Sequence, residues 1–304
     1  MEQIKLQQDE GKLLVVLQDF VSLCKPKVLM LVMLTAVVGA ALAAFSHPVA
    51  PLATLLALTG IAGVAAAAAA FNCLVEAATD GVMGRTRWRP LPNGRINTWQ
   101  AVLLITLLGG SGLLLTITFG GVLAGVLTCI SFFGYAVIYT LYLKKATPQN
   151  IVIGGASGAM PPLLGWVAAS GEISYAPLLL FLIIFVWTPP HFWALALYRK
   201  NDYARAKMPM LPVTHGDQFT ALQIILYTLM LFIVTLLPYL TQMAGVLYLL
   251  VAVALNCRFM QLAWRLKKSL AGEDGRRLFT YSVLYLALLF AALLLDAMLQ
   301  TVLA

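Results

Sequence analysis

Charge is scarce in this sequence. Of 304 residues only 11% are Asp, Glu, Lys or Arg, whereas 61% are hydrophobic and the mean hydropathy is +0.90. A soluble domain is roughly 45–50% apolar and about 25% charged, so a water-soluble globule is excluded. Strand-period alternation is missing too, which excludes an outer-membrane barrel. The four cysteines, Cys24, Cys73, Cys129 and Cys257, have no paired spacing, so neither a disulfide frame nor a thiolate metal motif is expected. The amino terminus is mixed polar and amphipathic rather than a basic cap followed by a short apolar core and a small-residue cleavage site, and a cleaved secretory signal is not expected.

Long apolar runs fill the space left by these absences. A helix needs about 20 apolar residues to cross hydrocarbon, and nine runs qualify, near 28–46, 52–72, 101–119, 121–143, 151–170, 176–197, 221–240, 243–262 and 279–299. In lipid each backbone polar group must be satisfied within its own segment, so the runs are read as helices. The expectation is an all-α membrane protein with nine transmembrane helices in residues 28–304, preceded by a cytoplasmic amphipathic segment, 1–27, that lies on the membrane surface. Placing the spans alternately puts all 20 Lys and Arg on the amino-terminal side, in 1–27, 73–100, 144–150, 198–220 and 263–278 and the helix ends beside them. The opposite loops have none. By the positive-inside rule the amino terminus is cytoplasmic and the carboxyl terminus outside, as in a multi-pass protein of a bacterial inner membrane. Topology thus accounts for the formal charge of +8, which gives no reason to expect a nucleic-acid partner.

Polar chemistry begins where the second span stops. Asn72, Glu76 and Asp80 recur every four residues, so on a helix they stack on one face as an amide and two carboxylates. Oxygen donors of this kind form a site for a hard cation in outline, and Arg85, Arg87, Arg89 and Arg95 follow directly. Carboxylates and guanidiniums crowded at one membrane edge suit a Mg²⁺-bound phosphate or diphosphate better than either ion alone. The plain alternative is that the arginines are topology signals paired with the acids. Carboxylates just inside a membrane boundary are costly unless paired or bound to a cation, and they contribute little to orientation.

Further along, Tyr139 precedes Lys144 at the same edge, and Asn150 opens a run rich in glycine and proline that ends at Pro161-Pro162. Such a run either packs closely on a neighbour or frees backbone groups toward a cavity. The sixth span carries Trp187-Thr-Pro189-Pro190-His191-Phe192-Trp193. Its double proline cannot keep two helix hydrogen bonds, and a membrane histidine is either a ligand or substrate contact or is satisfied by a freed carbonyl. The loop that follows holds Asp202, Tyr203, Arg205 and His215, a second acidic residue among basic ones that can face the first cluster across a bundle. Asp296, near the outer end of the last span, has no evident role in the sequence.

Taken together, Asn72–Pro92, Tyr139–Trp166, Trp187–Ala196 and Asp202–Gly216, the last containing Met-Pro-Met-Leu-Pro-Val-Thr-His-Gly, resemble the UbiA superfamily of intramembrane prenyltransferases and within it the branch that prenylates haem. The likeness runs almost end to end. One departure is local: Glu76 stands where that family usually has Asp, and Ala77 and Ala78 where Arg and Asp are common. The resemblance implies a bundle around a central cavity that takes farnesyl diphosphate and haem B as substrates. It also implies Mg²⁺ on Asn72, Glu76, Asp80 and Asp202, with Arg85, Arg89 and Lys144 as donors to diphosphate. His191 and His215 are then the candidates to touch haem, with Trp187, Tyr139, Asn150, Tyr203 and Arg205 near the substrates. The product, haem O, implies hand-off to a haem A synthase or a terminal oxidase. Two other readings stay open: a sibling prenyltransferase acting on an aromatic ring, and a transporter with a midplane ion site, which predicts charges deep within the spans.

Overall fold

A run of apolar residues with no way to satisfy its backbone in lipid except internally becomes a helix, and the computed structural model, which describes residues 14–82, 84 and 86–303, is built from such runs. A short helix, α1 (Leu14–Leu23), precedes α2 (Pro26–Ala44) and α3 (Pro51–Val75), each begun by a proline at a position where its missing N–H costs nothing. α4 (Ala77–Val82) continues α3 after a break at Glu76. α5 (Thr98–Phe133) starts at Asn97, whose side chain accepts from the Gln100 N–H while Gln100 reciprocates. It passes into a π-helix over Gly134–Leu143 and a final turn, α6 (Lys144–Ala146). Then come α7 (Asn150–Ala159), α8 (Pro161–Ser170), α9 (Tyr175–Tyr198), the short α10 (Lys200–Arg205) and α11 (Leu211–Thr214), α12 (Gly216–Val234), α13 (Leu237–Leu240), α14 (Val246–Ser269) and α15 (Gly272–Leu303).

The helical stretch from Thr98 to Ala146 is 49 residues long. Straight, it would extend about 74 Å at 1.5 Å per residue, more than twice a hydrocarbon core of about 30 Å. It is not straight. Gly121 has φ 86° and ψ 167°, a conformation that glycine supplies cheaply, and the chain reverses there. Gly120 lies against Ala57 at one end of α3, Gly109 against Ala67, and Phe132 meets Phe71 further on, so both arms run along α3. The eight long apolar helices therefore make nine passes among the described residues, with the expected third and fourth spans forming one hairpin.

α9 and the α7–α8 pair are the most enclosed: 61% of the most apolar stretch is buried in each, against 28–44% in the others. The main core joins α9 to α12, α14 and α15 through Trp193, Tyr248, Phe259, Tyr285 and Phe290. Large apolar side chains on the outside, such as Leu52, Leu250 and Val302, present the surface a bilayer requires. The chain is a multi-pass integral membrane protein. Asp296 acquires a role at this level: its carboxylate accepts from the Gly245 and Tyr248 N–H groups, the latter at 3.1 Å, and so caps the start of α14. The four cysteines are free thiols.

Candidate functional site

The i to i+4 backbone bonds continue through the break between α3 and α4, Glu76 N–H to Asn72 O at 3.0 Å and Asp80 N–H to Glu76 O at 2.7 Å. Asn72, Glu76 and Asp80 therefore rise on successive turns as expected, and all three are buried. Each has a partner. The Lys25 ammonium donates to Asn72 Oδ1, and Asn72 Nδ2 donates to Thr140 Oγ1 at 3.2 Å. Lys144 pairs with Glu76, and Arg89 with Asp80 at 2.6 Å. Burial alone would push the Glu76 carboxyl up, but the charge and hydrogen bond of Lys144, then Lys25 and the Asn72 amide, hold it below its ordinary range.

The π-helix explains how Lys144 and Thr140 arrive there. Its wider turn lets the Thr140 hydroxyl donate to Tyr135 O, five residues back, at 2.8 Å, while it accepts from Asn72. Tyr135 and Tyr139 stack 5.6 Å apart on the same segment. Gly154 of α7 makes room for Tyr139: a Cβ there would lie 2.2 Å from the ring. Gly155 lies less tightly against Thr188, where a Cβ would stand 3.0 Å from the side-chain methyl, so close helix packing accounts for Gly154 and Gly155, while Gly158 faces open space. Asn150 is fully buried. Its Nδ2 donates to Thr147 O at 2.6 Å, and its Oδ1 has no partner among the described residues.

Asp202 and Tyr203 are buried on the short α10. Asp202 pairs with Arg205 at 2.6 Å and approaches Arg199 at 3.7 Å. The local reason is spacing, since both arginines sit one helical turn away. Tyr203 lies within electrostatic reach of Tyr139, as does Glu76. Arg85 lies outside the described residues. Among those described, no three His, Cys, Asp or Glu side chains converge as a metal cluster. The donors that do lie together are the Asn72 amide and the two carboxylates of Glu76 and Asp80, all oxygen and therefore suited to a hard cation.

His191 is satisfied by a side chain rather than by a carbonyl freed by the prolines. Its ring lies between Trp187, 4.2 Å away, and Phe279, 4.6 Å away, and Nδ1 meets Ser282 Oγ at 2.6 Å. The single Ser282 proton goes to Phe279 O at 2.7 Å. His191 must then donate from Nδ1, which leaves Nε2 unprotonated and, among the described residues, without a hydrogen bond. Trp187 Nε1 donates to Ser282 O at 2.9 Å and fixes the other side of the stack. His215, by contrast, is exposed, bonded to Thr214 at 2.8 Å and stacked on Phe219. Sequence reading missed Lys25, Thr140, Tyr135, Phe279 and Ser282, which are distant in the chain from the motifs they support.

A profile of the UbiA prenyltransferase family matches residues 32–297. The chain is 58% identical over 279 residues to a protein of Thiobacillus denitrificans named protoheme IX farnesyltransferase, covering 92% of this chain and 93% of that one. A protein of the same name from Aromatoleum aromaticum is 56% identical over 280 residues, 92% of each chain. Among solved structures, one described as digeranylgeranylglyceryl phosphate synthase superposes with a TM-score of 0.77 at 19% identity, covering 93% of this chain and 98% of that one. A UbiA homologue from Archaeoglobus fulgidus bound to GPP and Mg²⁺ superposes with a TM-score of 0.62 at 15% identity, covering 90% and 99%. At these identities the structural matches carry the fold.

Proposed function

This chain belongs to the UbiA prenyltransferase family, and from that premise we propose that it farnesylates protohaem IX (haem B) to give haem O, releasing diphosphate. The observation that carries the reading is the buried set of Asn72, Glu76 and Asp80, meshed with Lys144 and Arg89 at one membrane edge. In the reaction the bond between C1 of farnesyl diphosphate and its oxygen breaks, with the electron pair leaving on diphosphate. A haem vinyl group forms the new carbon–carbon bond, and water adds to the cation left on the vinyl carbon with loss of a proton.

The residues divide that work. Asn72, Glu76 and Asp80 would hold a Mg²⁺ ion, which when bound would supply positive charge to offset that of the diphosphate leaving group. Lys144 and Arg89, with Arg85 as a further donor, donate to the diphosphate oxygens and stabilise charge that grows as the bond breaks. Asp202, flanked by Tyr203 and with Arg205 as its counter-ion, forms the facing acidic group. The aromatic side chains Tyr139, Trp187 and Phe279 would supply apolar faces that let the allylic cation meet haem before water does. His191 offers Nε2 toward haem from a fixed ring, whereas His215 and Asn150 contact substrate nearer the membrane edge. A transporter reading is disfavoured because the ionisable cluster lies at one edge rather than at midplane.

The one-sided distribution of basic residues supports a bacterial inner membrane as the location, amino terminus in the cytoplasm and carboxyl terminus outside, and haem O as product would pass to a haem A synthase or a terminal oxidase. Membranes containing the full chain, supplied with haem B, farnesyl diphosphate and Mg²⁺, should yield haem O identified by mass. A prenylated aromatic acid formed in its place, or no product at all, overturns the assignment.

A further inference from the structure

Lys25 is held in a backbone conformation that its sequence context opposes. It has φ 50° and ψ 61°, left-handed for a residue with a side chain, and it immediately precedes Pro26, which favours extended geometry in its neighbour. Such strain persists only where the surroundings fix it. Here α1 is pinned on three counts: Leu23 is 1% exposed and packs with Ala70, Cys73, Ile96 and Ala101, the Cys73 thiol donates to Leu23 O at 3.6 Å, and Asp19 pairs with Arg95 at 3.1 Å. The consequence is directional. The strained residue sends its ammonium onto Asn72, within electrostatic reach of Glu76, Arg89 and Lys144.

The charges of the cluster show what that ammonium is for. Glu76 is held by Lys144 and Asp80 by Arg89, so these two pairs are neutral in sum. Lys25 is the additional cation, and among the described residues its hydrogen-bond partner is a neutral amide. Without it, the described cluster would offer an incoming anion no net charge of its own.

We infer that Lys25, delivered by the amino-terminal segment, is a further diphosphate-binding residue, standing beside Lys144 and Arg89. This rests on the prenyl diphosphate reading above. It also gives α1 a role: by holding Lys25 in place, that helix builds part of the site.

The test uses the full chain in lipid nanodiscs, titrated calorimetrically with inorganic diphosphate in the presence of Mg²⁺, alongside steady-state kinetics. A charged hydrogen bond lost from a mostly buried site corresponds to roughly 10- to 100-fold in affinity. Lys25→Met should weaken diphosphate binding at least about tenfold and raise KM for farnesyl diphosphate alike, with KM for haem unchanged. Lys25→Arg should recover most of the affinity. Should Lys25→Met fail to insert, Lys25→Gln keeps a donor for Asn72 but no charge, and the same loss is expected. Diphosphate affinity at the wild-type level in the uncharged variants, or an equal rise in both KM values, overturns the inference and leaves the reaction standing. A wild-type chain that binds no diphosphate with Mg²⁺ overturns the reaction itself.

Discussion

Replacing Lys144 by Met removes the ammonium that pairs with Glu76 while keeping most of the apolar stem. The two side chains are 15% and 10% exposed, so water cannot restore what the carboxylate loses. Removing one member of a buried pair costs about 3–5 kcal/mol. Lys25 and Asn72 also stabilise Glu76, which puts the expected loss at the lower end, ~3 kcal/mol. In Glu76→Gln the lysine can turn its flexible stem toward the membrane edge, and the cost should be smaller, about 1–2 kcal/mol. A chain carrying both changes buries no orphaned charge, so its cost should fall short of the sum by ~2 kcal/mol. Acidity supplies a second signature. A carboxyl depressed in the folded state contributes stability that is present above its unfolded value, ordinarily 4.5 for Glu76, and is lost as pH falls through the folded value. Lys144→Met abolishes most of that depression, so its deficit is largest near neutrality and shrinks once the carboxyl is protonated. Reversible unfolding in mixed micelles with increasing dodecyl sulfate, followed by tryptophan fluorescence at neutral pH and near about pH 4, measures both effects. Additive single-variant costs, or a deficit indifferent to pH, would refute the pairing argument.

Asp80→Ala should abolish haem O formation in membranes while leaving insertion intact, because it removes a carboxylate donor and frees Arg89; full turnover would discard the assignment of Asp80 to the cation. Gly154→Leu should destabilise the chain by about 1–3 kcal/mol, since overpacking must displace Tyr139, and turnover should fall with it; an unchanged unfolding midpoint contradicts the packing account. Asp296→Ala strips the cap from α14 and should lower stability by about 1–2 kcal/mol at unchanged KM for both substrates, whereas a selective change in either KM would mean that Asp296 acts on the reaction.

The apolar runs determined the passes, because lipid leaves the backbone no other partner, and the distribution of 20 basic residues fixed which loops share a side. Four-residue spacing was enough to stack Asn72, Glu76 and Asp80, since a local i to i+4 ladder survives even the break at Glu76. The hairpin at Gly121 was half visible: two runs could be counted, but the reversal without a polar loop depends on a single glycine at positive φ, next to Gly120, which packs on α3. What decided the partners was the bundle. Lys144, at the end of a π-helical segment, meets Glu76 across 68 residues, Ser282 sets the tautomer of His191 from 91 residues away, and Lys25 meets Asn72 across 47 residues. Periodicity reports which residues lie on one face of one helix. Which charge that face meets depends on crossing helices whose register no local pattern encodes, and in lipid that register is set by close packing at small residues such as Gly154 rather than by hydrophobic burial.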